Sequence, residues 1–237
     1  MKLSLRHWDW DGSTPDKVWG EAVAADRPAI WQAHPPEDAA ARKHLSSILS
    51  AEEQIRLAGF RQAYDQTRYL TGRGLLRILI GAHLGIPAAR LQFEYGPFGK
   101  PALVTEVDGP RLHFNVAHSG NLILLAFSLH HEVGVDVEEM RSIPEMEAIA
   151  PQVFSEKQFA GWMQLGPKAR VTEFYRAWTL QEAGLKALGL GLGGEVDAET
   201  DAALTRYEMD LPPGYAGAAA LFTGRNESLQ NLHSRNF

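Results

Sequence analysis

Apolar residues recur at helical spacing along two long stretches of this chain and alternate with polar ones along several short stretches. Between residues 64 and 84, positions 69, 70, 75, 76, 79 and 80 are apolar, which predicts a long helix. Gly85-Ile86-Pro87 should end it. A second long helix is predicted over about 171–188, with Gly189 as its C-terminal cap. Shorter helices are expected over 39–48, after the Pro35-Pro36 break, and from Ser50 toward Phe60. Ser50 with Glu53, and Ser155 with Gln158, have the serine-to-acid or amide spacing of a capping box. The second box should open a helix through Met163, broken by Gly166-Pro167. Strands are expected over 91–95, over 112–116 and 122–128 around a turn at 117–121, through Gly134–Glu138, and over 206–211 and 216–222 around Pro212-Pro213-Gly214. Gly96-Pro97 and Gly99-Lys100-Pro101 read as turns. The first 35 residues should hold a tryptophan-bearing strand and loops, and the tail from Gly224 should fray.

Both halves thus run helices first and end in strands around a turn. That order suggests a duplication, with halves at 1–130 and 131–223 and a polar tail over 224–237.

Length and composition permit a substantial core. The chain has 237 residues, 45% of them hydrophobic and 22% charged, as in ordinary globular proteins. No apolar run approaches the ~20 residues that span a bilayer, and the N-terminus has no apolar signal core, so a cytoplasmic location is expected. Cysteine is absent, which excludes disulfides, thiolate metal sites and a cysteine nucleophile. A net charge of −6 argues against a nucleic-acid binder. The charge is unevenly spread. Residues 41–80 carry seven Lys/Arg against three acids, and residues 132–147 carry six acids against one arginine. A basic half facing an acidic half suits a polyphosphate with its cation, although mixed helix surfaces produce such asymmetry as often.

Two acidic motifs carry the chemistry. In Gly134-Val135-Asp136-Val137-Glu138 the two-residue strand period sets both carboxylates on one face and both valines on the other. In Trp178-Thr179-Leu180-Gln181-Glu182-Ala183-Gly184-Leu185-Lys186 the helical period sets Glu182 and Lys186 on one face. Three carboxylates and a lysine suit a hard divalent cation and a phosphate. Each motif alone is more often a solvated strand edge or a surface ion pair. The run Gly189-Leu190-Gly191-Leu192-Gly193-Gly194 fits a dinucleotide fingerprint in letters only, because it follows a helix where that motif must follow a strand.

Gly-x-Asp-x-Glu followed by Trp-x-x-x-Glu-Ala-x-x-Lys resembles the 4′-phosphopantetheinyl transferases of the larger, surfactin-synthetase type. Upstream, Gly99-Lys100-Pro101, Phe114-Asn115-Val116-Ala117-His118-Ser119 and the stretch from Arg68 to Arg77 resemble further segments of that family in the same order. The resemblance implies two α+β halves related by a pseudo-two-fold axis, with the site between them. It also implies transfer of the phosphopantetheine arm of coenzyme A to a serine of an acyl or peptidyl carrier protein, with release of 3′,5′-ADP. By that match Asp136, Glu138 and Glu182 hold Mg2+, and Glu182 is the candidate base. Lys186 reaches the coenzyme A phosphates, His118 contacts one of them, and Lys100 and Arg56 bind the 3′-phosphate side. A monomer is expected, since one chain supplies both walls. Arg73 and Arg77 read as helix-surface arginines, Phe174 and Trp178 as core, Glu139 as structural. Residues 159–165 read as core, with carrier docking as the alternative.

The pattern departs from the family at three places. Gln181 stands where lysine is usual, Ala117 where serine is usual, and Glu53 where a basic residue is frequent. Ala117 and Gln181 would each remove a group able to hold phosphate. Two other classes therefore stay open: a degenerate relative that binds coenzyme A or carrier proteins with little transfer, and an unrelated Mg2+ phosphohydrolase.

Overall fold

A computed structural model describes residues 2–3, 5–8, 27–104, 111–191, 194–224, 229 and 232, and the structural statements below concern these. The expected tail and the glycines' loop at 192–193 fall largely outside them. The fold is mixed α+β. The helices are α1 (Ala39–Ser47), α2 (Ala51–Gly59), α3 (Ala63–Leu84), α4 (Met146–Ile149), α5 (Glu156–Met163), α6 (Pro167–Leu188) and α7 (Ala198–Ala202). The strands are β1 (Lys2–Leu3), β2 (Leu5–Trp8), β3 (Ala29–Ala33), β4 (Phe93–Tyr95), β5 (Pro101–Leu103), β6 (His113–Ser119), β7 (Leu122–Ser128), β8 (Glu132–Glu139), β9 (Leu204–Met209) and β10 (Tyr215–Phe222).

Two four-stranded sheets, β2-β3-β7-β6 and β1-β9-β10-β8, form the centre, and β4-β5 is a separate hairpin. Strand alternation builds three cores. Ile123, Leu125 and Phe127 of β7 pack with Leu75, Leu76, Leu79 and Ile80 of α3. The intervening Leu122, Leu124 and Ala126 pack with Val133, Val135 and Val137 of β8 and with Ala219 and Leu221 of β10. Ala218, Ala220 and Phe222 then pack with Ala183, Leu185 and Leu188 of α6. The layers therefore run α3, sheet, sheet, α6, each strand dividing its two faces between neighbours. β1 pairs with β9, so the first strand lies in the sheet built mainly from the second half. Among the described residues no helix is long and apolar enough to cross a membrane.

Local signals formed as expected where they are short-range. Both capping boxes are complete. Gly85 (φ 67°) and Gly189 (φ 70°) end α3 and α6 in the left-handed region, where a Cβ is disfavoured. Three expectations are corrected. α6 opens at Pro167, not near 171, because proline at the first helical position loses no hydrogen bond and has a preset φ. β6 continues to Ser119, so 117–119 are strand and the turn is confined to Gly120 (φ 51°) and Asn121. Pro101 opens β5 instead of lying in a turn.

Arg73 and Arg77 are not surface residues. They are 8% and 1% exposed. Arg77 Nε donates to Glu53 at 2.6 Å and its Nη1 to Ala88 O and Leu91 O, while Arg73 Nε lies 3.4 Å from the same carboxylate. Glu53 also closes the capping box at Ser50, as its spacing predicts, which gives the acid a structural task where the family frequently has a basic residue. Phe174 and Trp178 stack in the core with Trp162, and Phe159 stacks on Trp162 in the same cluster, which favours core for 159–165.

Candidate active site

Gly134 sets the site's geometry. A Cβ at that position would collide with Ala183 O and Ala187 N, so only glycine lets β8 lie directly against the backbone of α6. The next residue on that face is Asp136, and the helix face opposite carries Glu182 and Lys186. Lys186 Nζ donates to Asp136 Oδ1 at 2.6 Å. Asp136 is 4% exposed, and its second oxygen, Oδ2, is buried with no hydrogen-bond partner. Burial raises the Asp136 pKa to about 6; the Lys186 ammonium opposes the rise and the Glu138 carboxylate adds to it. Burial, and then the Asp136 charge, also push Glu182 upward.

Glu138 is held from the neighbouring sheet. Ser119 Oγ donates to Glu138 Oε2 at 2.8 Å and accepts from Glu139 N–H at 3.0 Å. Asn115 Oδ1 accepts from Val135 N–H at 3.0 Å, a second stitch between β6 and β8. Among the described residues no three His, Asp or Glu side chains stand together in a ligating arrangement, and the Lys186 ammonium supplies the positive charge on Asp136. The donor set nonetheless fits a hard cation. Asp136 keeps an orphaned oxygen, and Glu138 and Glu182 are close enough to disturb its charge.

β6 serves two walls because its faces alternate. Ala117 and Ser119 face β8. His118 faces α3 at an exposed position. Crowding by protein, then the Arg68 and Lys186 charges, lower the His118 pKa, so its ring is neutral at neutral pH. Arg68 pairs with Asp65 and lies 4.5 Å from the centroid of the Tyr64 ring, with its own Nε buried and without a hydrogen-bond partner. In the sequence Arg68 is marked only by its place at the start of the Arg68–Arg77 segment.

The structure brings Asp136, Glu138, Glu182 and Lys186 within reach of one another's charges, and His118 within reach of the Lys186 charge. Arg56 stands apart on α2, exposed, its guanidinium 5.6 Å from the centroid of Tyr69. Lys100 is turned to another task. Its Nζ donates to Glu132 Oε2 at 2.8 Å and to Ala187 O at 3.0 Å, beside a cavity of about 260 Å³ lined by Tyr95, Phe98, Arg111 and His113. Burial lowers the Lys100 pKa against the pull of Glu132. Burial alone would raise Glu132, but His113 and Lys100 overcome it and hold the acid at about 2.

Both family departures near the motifs acquire a structural reason. Ala117 is 5% exposed in the core between the sheets, so a serine there would face β8. Gln181 points away from the carboxylates into a cavity of about 570 Å³ that also receives Arg176 and Arg206. A lysine would join two arginines there that are already paired, Arg206 with Asp201 of the same cavity and Arg176 with Glu173 and Glu208.

Comparison with known proteins agrees with the motifs. The family profile described as 4′-phosphopantetheinyl transferase, N-terminal, matches residues 31–130. That of the 4′-phosphopantetheinyl transferase superfamily matches residues 132–223. The Synechocystis protein slr0495, provisionally named a 4′-phosphopantetheinyl transferase, is 37% identical over 77% of this chain and 73% of its own. The 4′-phosphopantetheinyl transferase HetI of Nostoc is 30% identical over 72% of each chain. The human L-aminoadipate-semialdehyde dehydrogenase-phosphopantetheinyl transferase is 31% identical over 70% of this chain and 53% of its own.

Proposed function

The chain belongs to the 4′-phosphopantetheinyl transferase superfamily, and from that premise we propose how it moves the phosphopantetheine arm of coenzyme A to a serine of a carrier protein. The surfactin-synthetase type, with duplicated halves 1–130 and 131–223, is the reading we adopt. Two helices of 22 residues, each capped by a left-handed glycine and each packed on its own sheet, support a duplication.

The observation that carries the reading is Asp136, buried with one oxygen on Lys186 and the other unpartnered, beside Glu138 and Glu182. These three carboxylates would hold Mg2+, which supplies charge neutralisation to the pyrophosphate when bound. Lys186 lies where it can exchange Asp136 for a phosphate oxygen. His118, neutral, can donate to another. Arg56 is assigned to the 3′-phosphate side, and Lys100 joins it only by leaving Glu132. Glu182, with its raised proton affinity, accepts the proton of the attacking serine. A bond forms between the serine oxygen and the β-phosphorus. The bond to the leaving phosphate oxygen breaks, and 3′,5′-ADP departs with that electron pair. One chain supplies both walls, so a monomer suffices.

The test is mass spectrometry of an apo carrier protein incubated with the enzyme, coenzyme A and Mg2+, with an EDTA control. A gain of one phosphopantetheine arm, lost with EDTA and lost in Asp136→Ala, is expected. Transfer at normal rate by Asp136→Ala would overturn the site. Coenzyme A binding without transfer to any of several carriers would favour the degenerate relative.

A further inference from the structure

We propose that Ser119 is a positioning residue that fixes the Glu138 carboxylate, so that cation affinity is set from across the boundary between the two sheets. The inference rests on the metal assignment above. Ser119 closes β6, and Glu138 lies near the end of β8; these strands belong to different sheets and are not hydrogen-bonded as a ladder. The Ser119 hydroxyl uses both its capacities. It donates to Glu138 Oε2 at 2.8 Å and accepts from the Glu139 N–H at 3.0 Å. Accepting from the backbone holds the oxygen in place, and its rotating proton then turns to Glu138 Oε2. Without the bond, Glu138 has three free torsions at a strand end, next to the Asp136 carboxylate, whose charge repels it. A ligand that must be ordered before it binds loses affinity by the cost of ordering it.

His118, one residue earlier, faces the opposite way toward α3. The strand period therefore divides adjacent residues between the two walls, His118 to the basic side and Ser119 to the acidic side. The motif position after the histidine thereby gains a role in metal binding that does not require contact with phosphate.

The experiment uses Mn2+ as probe, its binding to the full-length protein followed by electron paramagnetic resonance without coenzyme A. Ser119→Ala should weaken Mn2+ about tenfold, as expected for losing a hydrogen bond to a charged group. Ser119→Cys, similar in volume but a poor donor, should behave likewise, and it keeps the test alive if alanine loosens the turn. Ser119→Thr, which retains the hydroxyl, should stay within about threefold of wild type. In transfer assays the concentration of metal giving half-maximal rate should rise while kcat at saturating metal changes less. Affinity within about twofold of wild type in both Ala and Cys variants, in folded protein, overturns the proposal. Asp136→Asn run in parallel separates the two failures. If it too binds Mn2+ normally, the metal site itself is wrong; if it loses Mn2+ while the Ser119 variants do not, only the positioning role is.

Discussion

The Lys186 ammonium donates to the buried Asp136 carboxylate at 2.6 Å, and it approaches from a helix that Gly134 admits to direct contact with the strand. A lysine in that position competes with any cation for the same oxygens. The arrangement joins two demands. Asp136 stays charged in a place where burial favours its neutral form, and Lys186 stays poised beside the phosphates it is proposed to hold.

Lys186→Ala should therefore separate binding from turnover. Removing the competing ammonium should leave Mn2+ affinity of the free protein unchanged or higher, while transfer falls about 100-fold or more through loss of a phosphate contact. Titration with Mn2+ beside a carrier-loading assay measures both. A parallel fall in metal affinity would show that Lys186 organises the carboxylates instead of competing with them.

Glu53 should be a stability residue with no direct part in transfer. Glu53→Ala leaves Arg73 and Arg77 buried without their carboxylate and removes half of the Ser50 capping box. A cost of about 3–5 kcal/mol is expected, because breaking a buried pair exposes the remaining charge's desolvation. Urea unfolding measures it. A loss below about 1 kcal/mol would mean that the Ala88 and Leu91 carbonyls alone satisfy Arg77.

Glu132 should contribute to acid stability. Its folded pKa, about 2, lies below the ordinary carboxylate value of 4.5, so its contribution is fully present above that ordinary value and is lost as pH falls through the folded one. The window is thus about pH 4.5 down to 2. Glu132→Gln should be less stable than wild type by at most about 3 kcal/mol above pH 5, with the gap closing toward pH 2. The depressed Lys100 pKa offsets part of that gain. Denaturant unfolding across this range tests it, and a gap independent of pH would remove the ion pair from the account.

Gln181→Lys should not improve the enzyme. The side chain lines the cavity shared with Arg176, Arg206 and Asp201, apart from Asp136, Glu138 and Glu182; both arginines are already paired with acids there, so an added ammonium competes with them for the same partners. Destabilisation of about 1 kcal/mol and an unchanged KM for coenzyme A are expected. A several-fold fall in KM would show that position 181 reaches the phosphates.

The sequence by itself determined the elements and the chemical inventory. Caps at Ser50 and Ser155, stops at Gly85 and Gly189, and the periods of α3 and β7 are short-range effects, each governed by residues within one or two turns or along one strand. The pairing of Glu182 with Lys186 on one helix face, and of Asp136 with Glu138 on one strand face, follows from the same local periods. What only the tertiary structure decided is which of those groups meet. Lys186 finds Asp136 fifty residues away because a missing Cβ at Gly134 lets helix and strand touch. Lys100 goes to Glu132 and the end of α6, and Arg73 and Arg77 go inward to Glu53. Gln181 turns to the far side of its helix, and Ala117 fills the space between the sheets. Such contacts depend on strand register and on the close approach of layers, where shifts of about an ångström decide whether charges pair, and no local pattern encodes that distance.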